Sequence, residues 1–265
     1  MSDRDYKAFI VEGEDREPRI INNILKIFFK QKKFKIITLP AEQNIYMLWK
    51  RLKEDDFETD IIEVLREEHE ALKKQLTGIG RDDFSEIYLF FDYDGHQNNL
   101  GAGDDVNVLE QMLKCFDNET ENGKLYISYP MVEALRDFEP GVCGKKGKCF
   151  VTMEESKQYK LLSASPSIYS QFNSYKFEMW KELIDVFSMR VSCLMKRTDT
   201  ITYEQYIEMV NPYEIFKLQR EEIGKNRIFV LSSFPEFLLD YFGVKLWKRC
   251  VKHAKNSFGQ NMCRD

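Results

Sequence analysis

The stretch that decides the fold is KAFIVEGEDREPRIINNILKIFFKQKKFKIITLP, residues 7–40. Its first five residues, Lys7–Val11, are mostly apolar and favour a β-strand that ends at a Glu-Gly turn signal. Apolar residues then recur every three to four positions over 20–28, which predicts an amphipathic helix, and KIITLP, Lys35–Pro40, predicts a second strand. Strand, helix and strand in this order form a βαβ unit, so the sequence predicts a parallel sheet with helices packed on it.

The rest of the chain divides into a half that forms sheet and a half that is mostly helical. A charged segment with helical periodicity, 41–84, follows the βαβ unit as an insert. Buried-strand patterns then occur in EIYLFFDYDG, Glu86–Gly95, and in KLYISYP, Lys124–Pro130. We therefore predict two domains, an α/β domain over 1–140 with a mostly parallel sheet flanked by helices, and a mostly helical C-terminal region over 141–265.

The composition limits the classes of function. Lys and Arg number 39 against 44 Asp and Glu, a net charge of −5, which excludes a wholly basic nucleic-acid coat but not local basic patches. No stretch approaches the roughly 20 apolar residues of a membrane span, so we expect no membrane partner. The N-terminus has no signal-peptide core and none of the six cysteines forms a C-x-x-C pair, which favours reduced thiols in the cytoplasm.

Acidic residues stand at the ends of the predicted strands. Glu12 follows the first strand, Asp92 and Asp94 follow the third, and Glu133 follows the fourth. Open α/β sheets bind their ligands at the carboxyl ends of the strands. In an extended segment Asp92 and Asp94 share a face, so both carboxylates can converge on one hard cation such as Mg²⁺. Glu133 could complete an acidic cluster there.

Three segments resemble a known family. FIVEGE, Phe9–Glu14, resembles the glutamate motif of TOPRIM domains, and YLFFDYDGH, Tyr88–His96, resembles their D-x-D motif. ISYPMVEAL, Ile127–Leu135, is similar to a proline-x-x-glutamate segment of several stand-alone TOPRIM proteins of bacterial defence and mobile-element systems. The resemblance, which includes OLD-type nucleases, covers roughly residues 7–137. It implies a TOPRIM-like, and therefore Rossmann-like, fold for this part of the chain.

The resemblance also implies an activity and a set of site residues. TOPRIM nucleases hydrolyse phosphodiester bonds of DNA or RNA with one or two Mg²⁺ (or Mn²⁺) ions held by carboxylates. On this chain Glu12 would be a metal ligand or the general acid/base. Asp92 and Asp94 would hold metal, and Glu133 would assist.

The implied setting is defence against phage or other mobile DNA, with this chain as the nuclease effector. Stand-alone TOPRIM proteins of defence loci often pair with an ATPase, and since this chain has no Walker loop, any energy or sensing that it needs would come from a separate ATPase or sensor partner. Two features depart from the family pattern. The insert that begins at Ala41 is longer than in a minimal TOPRIM domain, and Asp15 and Glu17 both compete for the second acid of the glutamate motif. The sequence leaves open whether the substrate is DNA or RNA, whether one or two metal ions bind, and what the oligomeric state is.

The same residues are compatible with two other functions. FFDYDG, Phe90–Gly95, also resembles the first motif of haloacid-dehalogenase-type phosphatases, where Asp92 would be the nucleophile and Asp94 the general acid. That motif usually lies near the N-terminus of those enzymes, and their later motifs are not evident here. The second alternative is a non-catalytic TOPRIM-like nucleic-acid-binding or scaffold subunit. A basic rim around Glu12 would favour the nuclease, and an acidic surround would favour the scaffold.

Two basic segments are candidate contacts for a nucleic-acid backbone. They are GKKGK, Gly144–Lys148, and the tail segment KLWKRCVKHAK, Lys245–Lys255. The lysines of GKKGK are equally well explained as an ordinary solvent-exposed loop. In the tail segment, Trp247 is expected to pack into the core.

Overall fold

The computed structural model describes residues 6–29, 35–54, 56–93, 104–137, 149–164, 168–197 and 201–252. These residues form two compact units. The first unit contains the described residues up to 92 and those from 104 to 125, and the second contains Tyr93 and the described residues from 126 onward. The candidate residue Asp94, the loop Gly144–Lys148 and the predicted domain boundary at 140 all lie outside the described residues.

The first unit is an α/β structure with a mostly parallel central sheet flanked by helices, as the sequence predicts. Its strands are Tyr6–Val11 (β1), Lys35–Pro40 (β2), Phe84–Asp92 (β3), Asp117–Asn118 (β4) and Gly123–Ser128 (β5). The strand order is β2-β1-β3-β5-β4, and the division between the two units falls within β5. Its helices are Arg16–Phe28 (α1), Ile45–Glu54 (α2), Ile61–Glu68 (α3), Glu70–Gln75 (α4) and Asp104–Cys115 (α5), with a 3-10 turn at Arg81–Asp83.

The strand β1 lies inside the sheet, parallel to both β2 and β3. Five of its six residues are buried, which is why Ala8–Val11 is a continuous apolar run and not an alternating one. Phe9 anchors the core here, because the rings of Phe29, Tyr88 and Phe90 lie 6.3, 5.4 and 6.0 Å from its own. Val11 is opposite Phe90 on one side and the last residue of β2 on the other, so the three strands end close together.

The insert after β2 folds as three helices, α2, α3 and α4. His69 separates α3 from α4 with an extended backbone, φ −126° and ψ 110°. The periodicity of DIIEVLREEHEALKKQL therefore continues across a break that the sequence pattern does not reveal.

The start of α3 depends on a side-chain cap. The carboxylate of Asp60 accepts hydrogen bonds from the N–H groups of Ile62 at 2.8 Å and Glu63 at 3.0 Å. Replacing Asp60 by alanine removes the acceptor for both groups, so we expect the free energy of unfolding to fall by about 1 kcal/mol. Asp60→Asn keeps an acceptor oxygen and should cost less. Urea unfolding of both variants measures the difference, and equal losses would assign the effect to the lost charge instead of the cap.

The second unit is mostly helical. Its helices are Met153–Ser156 (α6), Tyr159–Leu162 (α7), Phe177–Leu194 (α8), Tyr203–Met209 (α9), Pro212–Ile223 (α10) and Ser233–Cys250 (α11), with 3-10 turns at Val132–Arg136, Ile168–Ser170 and Phe172–Ser174. Two short strands, Phe150–Thr152 (β6) and Arg227–Phe229 (β7), pair antiparallel as a separate sheet. Within the described ranges, no helix combines the length and the apolar character needed to cross a membrane.

Candidate functional site

Acidic residues follow the three parallel strands of the first unit where these strands end. We call this region the carboxyl edge and define it by Glu12 after β1, Glu42 after β2 and Asp92 at the end of β3. Glu12 and Asp92 are half-buried, and Glu42 is exposed. The carboxyl edge is the place where open α/β sheets bind their ligands.

The structure brings Glu12 and Asp92 together. The Glu12 carboxylate oxygen Oε2 accepts a hydrogen bond from the backbone N–H of Asp92 at 3.1 Å. The two residues are 80 positions apart in the chain, and they meet because β1 and β3 are parallel neighbours in the sheet. The bond fixes the direction of the Glu12 side chain relative to the end of β3.

The other two candidate residues are not part of this contact. Asp94 lies outside the described residues. Glu133 belongs to the second unit, in the 3-10 helix Val132–Arg136, and is only 1% exposed. Burial and then the charge of Asp137 raise the pKa of the Tyr159 hydroxyl well above its usual range, and the Glu133 carboxylate adds to this rise. A common site for Glu133 and Glu12 stays a prediction.

The structure adds two acidic residues that the sequence interpretation missed. Glu42 follows β2 with a left-handed backbone, φ 53°, and its carboxylate shares a hydrogen bond with that of Glu14. This bond, and the charge of Glu42, raise the pKa of Glu14 above its usual value. The His69 ring nitrogen Nδ1 lies 3.8 Å from Glu42. The sequence interpretation took the acid that follows Val11, the last residue of β1, as a site residue. The same reasoning applied after Pro40, the last residue of β2, would have found Glu42.

The two acids that compete for the second position of the glutamate motif have different environments. Asp15 is exposed and forms an ion pair with Arg19 at 2.5 Å on the surface of α1. Glu17 is buried, and its carboxylate borders the turn after β1: a Cβ added at Gly13 would lie 3.1 Å from Glu17 Oε2. Glu17 is therefore the acid that faces the Glu12 turn, and Gly13 leaves room for it.

The donor set at the carboxyl edge suits a hard cation in its chemistry. Glu12 and Asp92 offer carboxylate oxygens, which Mg²⁺ prefers over nitrogen or sulfur. Among the described residues, however, no group of three His, Cys, Asp or Glu side chains is arranged to hold a metal ion. Asp94, the second carboxylate of the D-x-D segment, lies outside the described residues, and its part in a metal site stays a prediction.

The second unit carries an exposed basic face near its C-terminal end. Lys245, Lys248 and Arg249 of α11 are exposed, whereas Trp247 is buried against the rings of Tyr203 and Tyr206 at 5.7 and 5.0 Å. Trp247 thus packs into the core as expected. The three cations are available to a phosphate backbone.

Neither a family model, nor a curated protein, nor a solved structure matches this chain.

The Glu14–Glu42 pair leads to a pH-dependent prediction. Since the pKa of Glu14 is raised above 4.5 in the folded protein, the folded state retains this proton to a higher pH than the unfolded chain does. The stability that the proton confers is complete below the unfolded pKa and is lost as pH rises through the folded pKa. Glu14→Gln avoids this loss, so we expect it to raise the midpoint of urea unfolding at neutral pH and to have little effect near pH 4.

Exposed Glu58 supplies the control for this prediction, as Glu58→Gln removes the same charge from the same unit. A gain in Glu14→Gln that is equal at both pH values, or equal to that of the control, would contradict the assigned role of the Glu14–Glu42 pair.

Proposed function

We propose that this protein is a Mg²⁺-dependent nuclease whose α/β part, within 1–140, is a TOPRIM-like catalytic domain. The observation that carries the proposal is the hydrogen bond between the Glu12 carboxylate and the Asp92 N–H at the carboxyl edge. Two acids from separate motifs meet there, on adjacent parallel strands, at the place expected for ligand binding. The resemblance of FIVEGE and of the D-x-D segment to TOPRIM motifs supports the same assignment.

Each residue then has a defined task. A bound Mg²⁺ would polarise the phosphoryl oxygen, lower the pKa of water and stabilise the leaving oxygen. Glu12 would hold the metal or take the proton of the attacking water, with its carboxylate oriented by the Asp92 N–H. Asp92 and Asp94 would supply oxygen ligands, and Glu133 would assist from its own short helix.

The proposed substrate is the phosphodiester backbone of DNA or RNA. Exposed Lys245, Lys248 and Arg249 of the second unit are suitable contacts for that backbone. The proposed setting, a cytoplasmic effector of anti-phage or mobile-element defence with a separate ATPase or sensor partner, rests on the resemblance of Phe9–Glu14 and Ile127–Leu135 to stand-alone TOPRIM proteins.

One observation favours the second candidate, a non-catalytic TOPRIM-like binding or scaffold subunit. The described neighbours of Glu12 include the acidic pair of Glu14 and Glu42, and this acidic surround would repel a polyanion in the absence of metal. Divalent cations would reverse that effect. The two candidates therefore differ in whether nucleic acid is cleaved, and not only bound, once Mg²⁺ or Mn²⁺ is present.

The deciding experiment is a cleavage assay on plasmid DNA, single-stranded DNA and total transfer RNA. The wild-type protein is compared with Glu12→Gln, each with Mg²⁺, with Mn²⁺ and with EDTA. The nuclease proposal expects cleavage that requires the metal and that is lost in the variant. p-Nitrophenyl phosphate is tested in parallel, since its hydrolysis without nucleic-acid cleavage would support the phosphatase alternative.

The other outcomes are equally informative. Metal-independent cleavage, or cleavage unchanged in Glu12→Gln, would indicate a contaminating nuclease and would refute the site. Binding of nucleic acid without cleavage under all conditions would favour the scaffold.

The proposed metal site also predicts a metal-dependent change in stability. A ligand that binds only the folded state stabilises it by about 2.7 kcal/mol at 100 times its Kd. We expect Mg²⁺ to raise the Tm of the wild-type protein and to have a smaller effect on Glu12→Gln, which lacks one negative charge. Thermal melts with MgCl₂ and with NaCl of matched ionic strength test this, and identical shifts in the two salts would count against a specific site.

A further inference from the structure

The segment that carries Glu133 is too short to hold its own conformation. Val132–Arg136 forms a single 3-10 helix of five residues, and 3-10 hydrogen bonds have poorer geometry than those of an α-helix. Four of its five residues, including Glu133, are buried. Its conformation must therefore be fixed by contacts from other parts of the second unit.

On its N-terminal side, this 3-10 helix is anchored through the backbone. Tyr129 exchanges two hydrogen bonds with Leu231, with N–O distances of 2.7 and 2.9 Å. These bonds tie the end of β5 to the strand-like segment that follows β7. These bonds do not reach the C-terminal end of the 3-10 helix, where side chains make the contacts.

On its C-terminal side, the main anchor is Arg190 of α8. Arg190 is 3% exposed, and its guanidinium donates one hydrogen bond to the carbonyl of Asp137 and another to the carbonyl of Val230 at 3.1 Å. Asp137 directly follows the 3-10 helix, and Val230 directly precedes Leu231. One buried side chain thus joins the two segments that already meet at Tyr129.

Further side chains fix the same end of the helix. The Tyr159 hydroxyl donates a hydrogen bond to the Asp137 carboxylate at 2.7 Å. Arg136 donates to the carbonyl of Lys160 at 2.7 Å and to the hydroxyl of Ser163 at 3.2 Å. These contacts come from α7 and its end, so the 3-10 helix is held by α7 and α8 together.

The charges around Tyr159 show that Arg190 also has an electrostatic role. The carboxylates of Asp137 and Glu133 act on the Tyr159 hydroxyl in one direction, and the guanidinium of Arg190 acts in the other. Glu133 and Arg190 therefore lie near the same hydroxyl.

We propose that Arg190 is a positioning residue for Glu133: by joining the carbonyls of Asp137 and Val230, it fixes the 3-10 helix from which the Glu133 carboxylate would act. This inference rests on the proposed function, in which Glu133 assists phosphodiester hydrolysis. Arg190 itself contacts backbone carbonyls and is given no contact with substrate.

The test compares Arg190→Met, Arg190→Lys and Tyr159→Phe with the wild type and with Glu133→Gln, by steady-state cleavage with Mg²⁺. Because small displacements of a reacting group can cost about 100-fold in rate, we expect a kcat loss of that order in Arg190→Met, with KM little changed. Arg190→Lys keeps the charge and should recover part of the loss. A cavity of about 20 Å³ beside Arg190, Asp137 and Ser232 has room for a water that completes the contacts of the shorter lysine group.

Exposed Arg220 of α10 provides the matched control, Arg220→Met. All assays are run at a temperature at which circular dichroism shows every variant to be folded. Tyr159→Phe removes a single hydroxyl and keeps the test decisive if Arg190→Met does not fold; it should lower kcat less than Arg190→Met does.

The failure of this inference differs from the failure of the proposed function. If the wild type has no metal-dependent cleavage, the proposed function is wrong. If the wild type cleaves and Glu133→Gln does not, but folded Arg190→Lys, Arg190→Met and Tyr159→Phe keep the wild-type kcat, only the positioning role is overturned. A Glu133→Gln variant as active as the wild type also overturns it, and leaves the nuclease in place.

Discussion

On the proposed function, we expect Asp92→Asn and Glu12→Gln each to lower kcat for phosphodiester cleavage by about 100- to 1,000-fold. A metal-held site contributes several kcal/mol to transition-state stabilisation, and each 1.36 kcal/mol corresponds to a factor of ten in rate. Both substitutions remove a negative charge and keep the shape of the side chain. The glutamine at position 12 also keeps an oxygen that can accept the hydrogen bond from the Asp92 N–H, so the effect reports the lost charge and not a lost contact.

Two exposed acids of the same unit provide matched controls. Glu58→Gln and Asp82→Asn make the same chemical changes away from the carboxyl edge and should leave kcat within about twofold of the wild type, as exposed sites usually do. Mn²⁺ affinity, measured from the electron paramagnetic resonance signal of the free ion, gives a readout that does not depend on turnover. We expect weaker Mn²⁺ binding in both site variants, and wild-type affinity in Asp92→Asn would remove Asp92 from the proposed metal site.

The central part of the fold follows from the sequence because its signals are local. The strand β1, the helix α1 and the strand β2 appear where apolar runs and helical periodicity place them. The meeting of Glu12 and Asp92 was predictable too. Two buried strands that follow a βαβ pattern run parallel, and parallel strands place their carboxyl ends at one edge. Neither inference needed knowledge of long-range side-chain packing.

The remaining parts of the site depend on features that the sequence pattern does not contain. Glu42 was assigned to the helical insert, and only its left-handed backbone after β2 turns the chain so that Glu42 meets Glu14. The segment after Pro130 has the composition of an α-helix but forms one 3-10 turn, and the carbonyl of Asp137 that follows it is bound by Arg190, far along the chain. Such tertiary contacts override local propensity.

A glycine at the start of β5 leads to the second large prediction. Gly123 is buried with φ +111°, a backbone conformation that residues with a Cβ rarely adopt. A Cβ added there would lie 2.6 Å from Cδ1 of Leu89 and 3.1 Å from Cγ2 of Ile87, both on β3. Strained backbone and overpacking each cost about 1–3 kcal/mol, so Gly123→Ala should lower the free energy of unfolding by about 3 kcal/mol.

Alanine substitutions at two further glycines of the first unit separate the cost of the strained backbone from the cost of overpacking. Gly78 also has a positive φ, +73°, but a Cβ there would meet no atom within 4 Å, so Gly78→Ala should cost only the backbone share, about 1 kcal/mol. Gly80 has neither a positive φ nor a close neighbour, and Gly80→Ala should be nearly neutral. Guanidinium chloride unfolding of the three variants is expected to rank Gly123→Ala well below Gly78→Ala, with Gly80→Ala close to the wild type.

A double substitution tests whether the steric part of the stability loss comes from contact with β3. If the methyl group of Gly123→Ala collides with the Leu89 side chain, the same change made in a Leu89→Ala background should cost clearly less than about 3 kcal/mol, because only the backbone share and the contact with Ile87 remain. Leu89 lies three residues before Asp92, so the collision would act on the strand that carries the proposed metal ligand. An equal cost of Gly123→Ala in both backgrounds would show that the collision with Leu89 contributes nothing, and would leave the backbone and Ile87 as the sources of the loss.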